Sequence, residues 1–258
     1  MNQKRDDQEA MQMKHAGILA HSIEGASLSL LEFCQNGFRE LGPHMHPDVT
    51  LDCIAMSRSI AAWDAGDYAS IRITLAESVS RLGQAGADFF FCPDNTAHIA
   101  LEQSGEDFAI PGLHIADVVS ERAATDGLRR IGLLGTKYTM ESSIYPRALT
   151  ARGVQYEVPP PDDRLILNNI IFDELVSGIF SDASRREYIR AIKWLQDRGC
   201  DGVALVCTEI PLLVTPSNSP LPTLDSTRLL ARAAFEVAVG QRPMPSWRGG
   251  PHGVGHDV

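Results

Sequence analysis

Two polar segments of this sequence follow apolar runs, and each carries a residue able to move a proton. In FFFCPDNTAH, residues 89–98, three phenylalanines and a cysteine lead to Asp94, Asn95, Thr96 and His98. In DGVALVCTE, residues 201–209, an apolar run leads to Cys207, Thr208 and Glu209. A carboxylate and a thiol on opposite faces of one carbon can remove its proton from one side and return a proton to the other, which is what stereoinversion requires. Plainer roles also suit these residues. Asp94 makes a good helix N-cap, Cys207 a buried strand-end thiol, and Thr96 and Thr208 further caps. His98, four residues past Asp94, could orient the carboxylate or face solvent.

The elements that must position these residues alternate along the chain. Strand-like runs occupy 15–20, 50–56, 88–93, 130–136, 154–159 and 201–207. Between them, residues 68–86 carry Ile71, Leu75, Val79 and Leu82 at helical spacing, and residues 188–199 carry Ile189, Ile192 and Leu195. Each of these two stretches ends near a glycine, a common helix stop. Strands separated by helices predict parallel α/β sheets. An internal repeat sharpens this. GADFFFCPD from Gly86 matches GCDGVALVC from Gly199, and AGILAHS at 16–22 matches IGLLGTK at 131–137. The first match sets Asp94 against Cys207 and Cys92 against the apolar Leu205, so Cys92 reads as packing. The expected architecture is two similar α/β domains with parallel sheets related by pseudo-two-fold symmetry. The first half spans 15–120, completed by part of 210–240, and the second spans 121–240. Residues 1–14 and 241–258 read as tails, the latter rich in Gly, Pro and His. His252 and His256 within it could hold a metal weakly, but a disordered terminus accounts for them more simply. Ligands of open parallel sheets bind beyond the carboxyl ends of the strands, where Asp94 and Cys207 would both lie.

Composition narrows the function classes. The 258 residues carry a formal net charge of −10, which argues against non-specific nucleic-acid binding. No apolar run approaches the roughly 20 residues of a membrane span. The polar N-terminus lacks the apolar core of a signal peptide, so a cytoplasmic protein is expected. The five cysteines include no C-x-x-C pair, so free thiols and no metal site are expected.

At PDNTAH and VCTEIPLL the chain resembles the aspartate/glutamate racemase superfamily, whose two signatures are a cysteine followed by Asn-Thr-Ala-His and a Gly-Cys-Thr-Glu segment. The likeness extends to PGLHIAD (111–117), GLLGTKYTMESSIY (132–145) and IFDELVSGIF (171–180). It implies an interdomain active site, two thiol bases, no pyridoxal phosphate or other cofactor, and a homodimer as a fair expectation. Cys207 matches the second of the thiols. Asn95, Thr96 and Thr208 match residues that hydrogen-bond the substrate carboxylate, and Thr136 and Thr139 match a substrate-contacting loop. Ser22 falls in the corresponding loop of the first half. Arg58 is a candidate clamp for a side-chain carboxylate, through its bidentate geometry. His98 and Glu209 are candidates to support the two proton carriers. The departure is Asp94, standing where the resemblance implies a thiol. With reference pKa values of about 3.9 and 8.5, the carboxylate is the weaker base by roughly 6 kcal/mol before local tuning. The expected activity is a racemase or isomerase acting at the α-carbon of a small acidic amino acid or related carboxylic acid. A decarboxylase, cis–trans isomerase or lyase using mainly Cys207, and a non-catalytic carboxylate-binding protein, remain as alternatives.

Overall fold

A computed structural model describes residues 13–252. The outer parts of both expected tails, His256 among them, lie outside the described residues. The first sheet holds β1 (Ala16–Ala20), β2 (Val49–Cys53), β3 (Phe89–Phe91) and β4 (Gly112–Leu113) in the order β2-β1-β3-β4. The second holds β5 (Arg130–Gly135), β6 (Gln155–Glu157), β7 (Gly202–Val206) and β8 (Thr223–Asp225) in the order β6-β5-β7-β8. Every pairing is parallel. The two sheets therefore repeat one topology, with β1 equivalent to β5 and β3 to β7, as the sequence repeat predicts. All six expected strands are present. Two further short strands, β4 and β8, lie outside any apolar run of the sequence and were not expected.

The helices are α1 (Ile23–Glu40), α2 (Ile60–Ala65), α3 (Tyr68–Gln84), α4 (Ala97–Leu101), α5 (Ile115–Thr125), α6 (Lys137–Glu141), α7 (Ile144–Thr150), α8 (Pro161–Asp173), α9 (Asp182–Asp197), α10 (Ile210–Leu213) and α11 (Ser226–Ala238). Side chains start several of them. Asp67 accepts from the Ser70 N–H at 3.1 Å to open α3, Ser181 accepts from Ser184 at 3.0 Å to open α9, and Asp225 accepts from Thr227 and Arg228 to open α11.

Both faces of each sheet are covered along its centre, so β1, β3, β5 and β7 read as continuous apolar runs rather than alternating ones. Along β3 the phenylalanines serve two cores. Phe89 and Phe91 pack with Phe33 of α1 and with Leu230, Ala234 and Phe235 of α11. Phe90, facing the other way, packs with Leu75, Val79 and Leu82 of α3. A helix from near the end of the chain thus fills the core of the first sheet. α5 is shared between the halves: Ile115 and Val118 enter the first core, while Ala116, Val119 and Ala123 enter that of the second sheet.

The expected C-terminal tail is corrected over 241–252. The Trp247 ring packs against Phe90 and Phe108 and lies nearly parallel to His98, with centroids 6.2 Å apart. The backbone alongside it is bound at three points, Phe108 N–H to Arg248 O, Gly112 N–H to Trp247 O and Gly250 N–H to Leu101 O, at 2.8–2.9 Å. Composition suggested disorder, but one large ring and an open β4 edge are enough to hold the segment down.

Candidate active site

Asp94 follows β3 and Cys207 follows β7, equivalent strands of the two sheets. A cavity of ≈ 480 Å³ lies beyond these carboxyl ends and is lined by both residues, together with Ser22, Asn95, Thr96, Thr136, Thr208 and Glu209. Close approach of α1 helps to frame it. A Cβ on Gly25 would sit 2.4 Å from the Pro93 carbonyl and 3.2 Å from the Thr208 hydroxyl, so only glycine lets the first turn of α1 abut both loops.

Asp94 is gripped from several sides. His21, buried at the end of β1, places Nδ1 2.7 Å from Oδ2, and the Ala97 N–H donates to Oδ1 at 3.2 Å. Burial alone would raise the Asp94 pKa, but the hydrogen bond and charge of His21 and the Ala97 N–H outweigh it and hold the carboxyl below its ordinary value. The group is therefore an ionised carboxylate at neutral pH. Because a carboxylate only accepts, Nδ1 of His21 carries the proton of this hydrogen bond, and the Trp63 indole N–H stands 3.5 Å from Nε2 on the other side of the ring.

Cys207 has the opposite character. Burial drives its pKa well above that of an ordinary thiol, and the neighbouring Glu209 carboxylate pushes the same way. Its Sγ donates to Glu209 Oε2 at 2.9 Å. Burial also raises the Glu209 carboxyl, against the lowering effect of the thiol hydrogen bond. The cavity thus sets a charged carboxylate on one side against a neutral thiol on the other. Surroundings that drive two titratable groups apart in this way suit one to accept a proton and the other to donate one.

The surrounding polar residues mostly hold one another. Tyr145 donates to Asn95 Oδ1 at 2.5 Å, and Asn95 Nδ2 donates to Ser226 Oγ at 3.0 Å. That leaves one amide hydrogen of Asn95 uncommitted. Thr96 crosses to the second half, its hydroxyl 3.3 Å from that of Thr136 and 3.1 Å from that of Thr139. Ser22 caps α1 through the Gly25 N–H at 3.3 Å. The backbone N–H groups of Asn95, Thr96 and Thr208, three residues of the cavity wall, have no partner among the described residues and remain as donors.

Three expected site residues stand elsewhere. Arg58 is corrected: it is exposed, pairs with Glu77 at 2.6 Å, and is not in the cavity wall, because the turn carrying it directs it toward α3. Thr139 is fully buried, with its hydroxyl spent on Thr96 and Thr136. His98 is likewise buried and supports the loop rather than the carboxylate, since its Nδ1 donates to the Asp94 carbonyl at 2.9 Å while Nε2 accepts from the Ile115 N–H. Burial, followed by the charge of His114, brings its pKa down to about 3, so the ring is neutral. Cys92 is buried in the α3 core.

Sequence reasoning missed His21, although the signal was present. Matching AGILAHS with IGLLGTK sets His21 opposite Thr136, one strand over from the pair Asp94 and Cys207. It also missed the apolar wall of Met56, Ile60 and Trp63 from the first half and Tyr138, Phe172 and Val176 from the second. Among the described residues no cluster of three or more His, Cys, Asp or Glu is placed to hold a metal, and no helix is long and apolar enough to cross a membrane.

Residues 21–234 match the model of the Asp/Glu/hydantoin racemase family. A broad-specificity amino-acid racemase, RacX, from Bacillus subtilis is 20% identical over 178 residues, covering 66% of this chain and 74% of that protein. A proposed Asp/Glu racemase from Yersinia pestis is similar in structure, with a TM-score of 0.79, 32% identity, and coverage of 88% of this chain and 100% of that one. An aspartate racemase homologue from Pyrococcus horikoshii has a TM-score of 0.75 at 26% identity, covering 88% of this chain and 99% of that one. With the family match running through both sheets and the loops of Asp94 and Cys207, the chain belongs to the Asp/Glu/hydantoin racemase family.

Proposed function

We propose that the protein is an amino-acid racemase that works without pyridoxal phosphate, by proton transfer at the substrate α-carbon between Asp94 and Cys207. The observation that carries this reading is the polarised pair in one cavity, a carboxylate bonded to His21 and a thiol bonded to Glu209. The substrate α-carboxylate is received by the backbone donors of Asn95, Thr96 and Thr208 and by the neighbouring hydroxyls. Asp94 takes the α-proton from one face, and Cys207 gives its S–H proton to the carbanion from the other. One turnover leaves Asp94 protonated and Cys207 as thiolate. A turnover of the opposite enantiomer starts from that state and restores the first, and exchange of both protons with solvent does the same.

Mutually hydrogen-bonded side chains around the reacting carbon lower the cost of orienting it. The α-amino group needs no cofactor to hold it, since Asp94 and Glu209 both present carboxyl groups to the cavity. The test is to incubate single enantiomers in deuterium oxide, following optical rotation and α-proton loss together. Racemisation with deuterium at the α-carbon is expected, abolished by Cys207→Ala. Exchange without inversion would rule out the two-base scheme.

The neutral thiol also supports a second reading, a one-sided reaction in which Cys207 protonates a carbanion left by decarboxylation and Asp94 is a bystander. Carbon dioxide release from a substituted malonate, undiminished in Asp94→Asn, would establish that reading over the first.

A further inference from the structure

We infer that the substrate carries a large uncharged apolar side chain, aryl or branched aliphatic, and that side-chain carboxylates are excluded. This rests on the reading of the cavity as a site for proton transfer at an α-carbon. The cavity wall contains no lysine or arginine among the described residues, and the one cation expected there, Arg58, is engaged with Glu77 outside it. The wall already holds the ionised Asp94, and Glu24 and Asp64 stand in it as well. A second carboxylate on the substrate would enter a partly dry, negatively charged space with no counter-ion. The backbone N–H groups of Asn95, Thr96 and Thr208 and the free amide hydrogen of Asn95 are needed by the α-carboxylate, His21 is committed to Asp94, and the hydroxyls that remain carry no balancing charge.

The apolar part of the wall fits the opposite kind of group. Met56, Ile60 and Trp63 face the cavity from one half, and Tyr138, Phe172 and Val176 from the other. Trp63 reaches the reacting end itself, its ring centroid 6.0 Å from that of His21. Apart from Trp63, these large side chains are exposed, each at about 40–50% of its surface. Large apolar side chains gathered in the open around one cavity mark a surface that a ligand covers. An apolar substituent would shield these side chains from both halves at once, leaving its α-carbon between Asp94 and Cys207.

The measurement is α-proton exchange in deuterium oxide across L- and D-phenylalanine, leucine, methionine, aspartate, glutamate, lysine and ornithine, giving kcat/KM for each. Phenylalanine or leucine is expected to exceed aspartate and glutamate by about 100-fold or more. Phe172→Ala should lower kcat/KM for phenylalanine about 10-fold through KM, with Phe172→Leu restoring most of it. Ile60→Arg should raise kcat/KM for aspartate. Aspartate or glutamate as the best substrate would overturn the inference while leaving the racemase reading intact. So would lysine or ornithine, which would assign Glu24 and Asp64 to a cationic side chain. A change of oligomeric state in Phe172→Ala without a change in selectivity would also overturn it, by making the apolar mouth a contact between copies. If no amino acid exchanges, the racemase reading fails, and calorimetry with 3-phenylpropionate and succinate decides the inference separately. Binding of 3-phenylpropionate alone supports it, whereas succinate binding as tightly overturns it.

Discussion

At the scale of single residues, the cavity holds two titratable groups tuned in opposite directions. Asp94 keeps its charge because His21 and the Ala97 N–H stabilise it against burial, and Cys207 keeps its proton because burial and Glu209 oppose ionisation. The pH dependence follows from these directions. A base with a lowered pKa stays ionised as pH falls through the ordinary carboxylate range, and a thiol with a raised pKa stays protonated above the usual thiol range. A broad neutral plateau in kcat/KM is therefore expected. His21→Asn removes the main support for the charged form of Asp94, so the acid limb of the profile should move to higher pH, with kcat/KM falling about 10- to 100-fold. Asp94→Cys puts two thiols across the substrate, and any gain in exchange rate reports how far the remaining pocket suits symmetric proton transfer. Of the site, the sequence made legible the residues that end a strand in a motif. His21 escaped because a lone histidine at a strand end carries no pattern until the repeat is read as structure. Arg58 misled because residue type and rough position say nothing about which neighbour a guanidinium will choose.

At the scale of elements, the placement of the polar loops depends on what lies behind them. The Asp94 loop leads into α4, whose His98 joins a stack of rings with His114, Trp247 and His252. Trp247→Ala should cost about 2–3 kcal/mol, less than a fully buried ring, and loosen the Asp94 loop, to be read as a fall in both Tm and kcat. The same stack makes the fold sensitive to acid. His98 faces His114, Glu102 and the Asp94 carbonyl, while His114 faces Glu102, Asp117, Arg147 and His252. Burial lowers the pKa of both His98 and His114, so the unfolded chain binds more protons than the folded one below the ordinary histidine pKa of about 6.5. Stability is present above that pH and falls as pH drops toward the folded value, by at most about 1.4 kcal/mol per pH unit for each ring. Denaturant titrations at pH 7, 6 and 5 measure this, and His98→Gln should flatten the slope. Strands and long amphipathic helices were legible in the sequence because burial imposes a period on them. The 241–252 segment was not, since its attachment rests on one tryptophan and backbone hydrogen bonds, neither of which leaves a periodic trace.

At the scale of the whole molecule, the two sheets repeat one topology yet share their packing. α5 gives residues to both cores, and Leu229 of α11 touches both as well. Such shared burial couples the halves, so one unfolding transition is expected, with the calorimetric and van't Hoff enthalpies equal. Two resolved transitions would mean that the halves unfold independently. The sequence repeat made the duplication readable, but not this sharing, because helix faces that serve two cores look in sequence like any helix buried all round.

Because α11 closes the core of the first sheet, the order in which a ribosome releases the chain becomes a physical constraint. Phe33, Phe89 and Phe91 emerge long before Leu230, Ala234 and Phe235, the residues that cover them. At typical synthesis rates the interval is on the order of ten seconds. For that time the nascent chain displays an apolar sheet face with no lid, a natural target for holding chaperones. A stalled chain ending before residue 226 should aggregate, and adding the 226–252 segment as a separate peptide should restore its solubility.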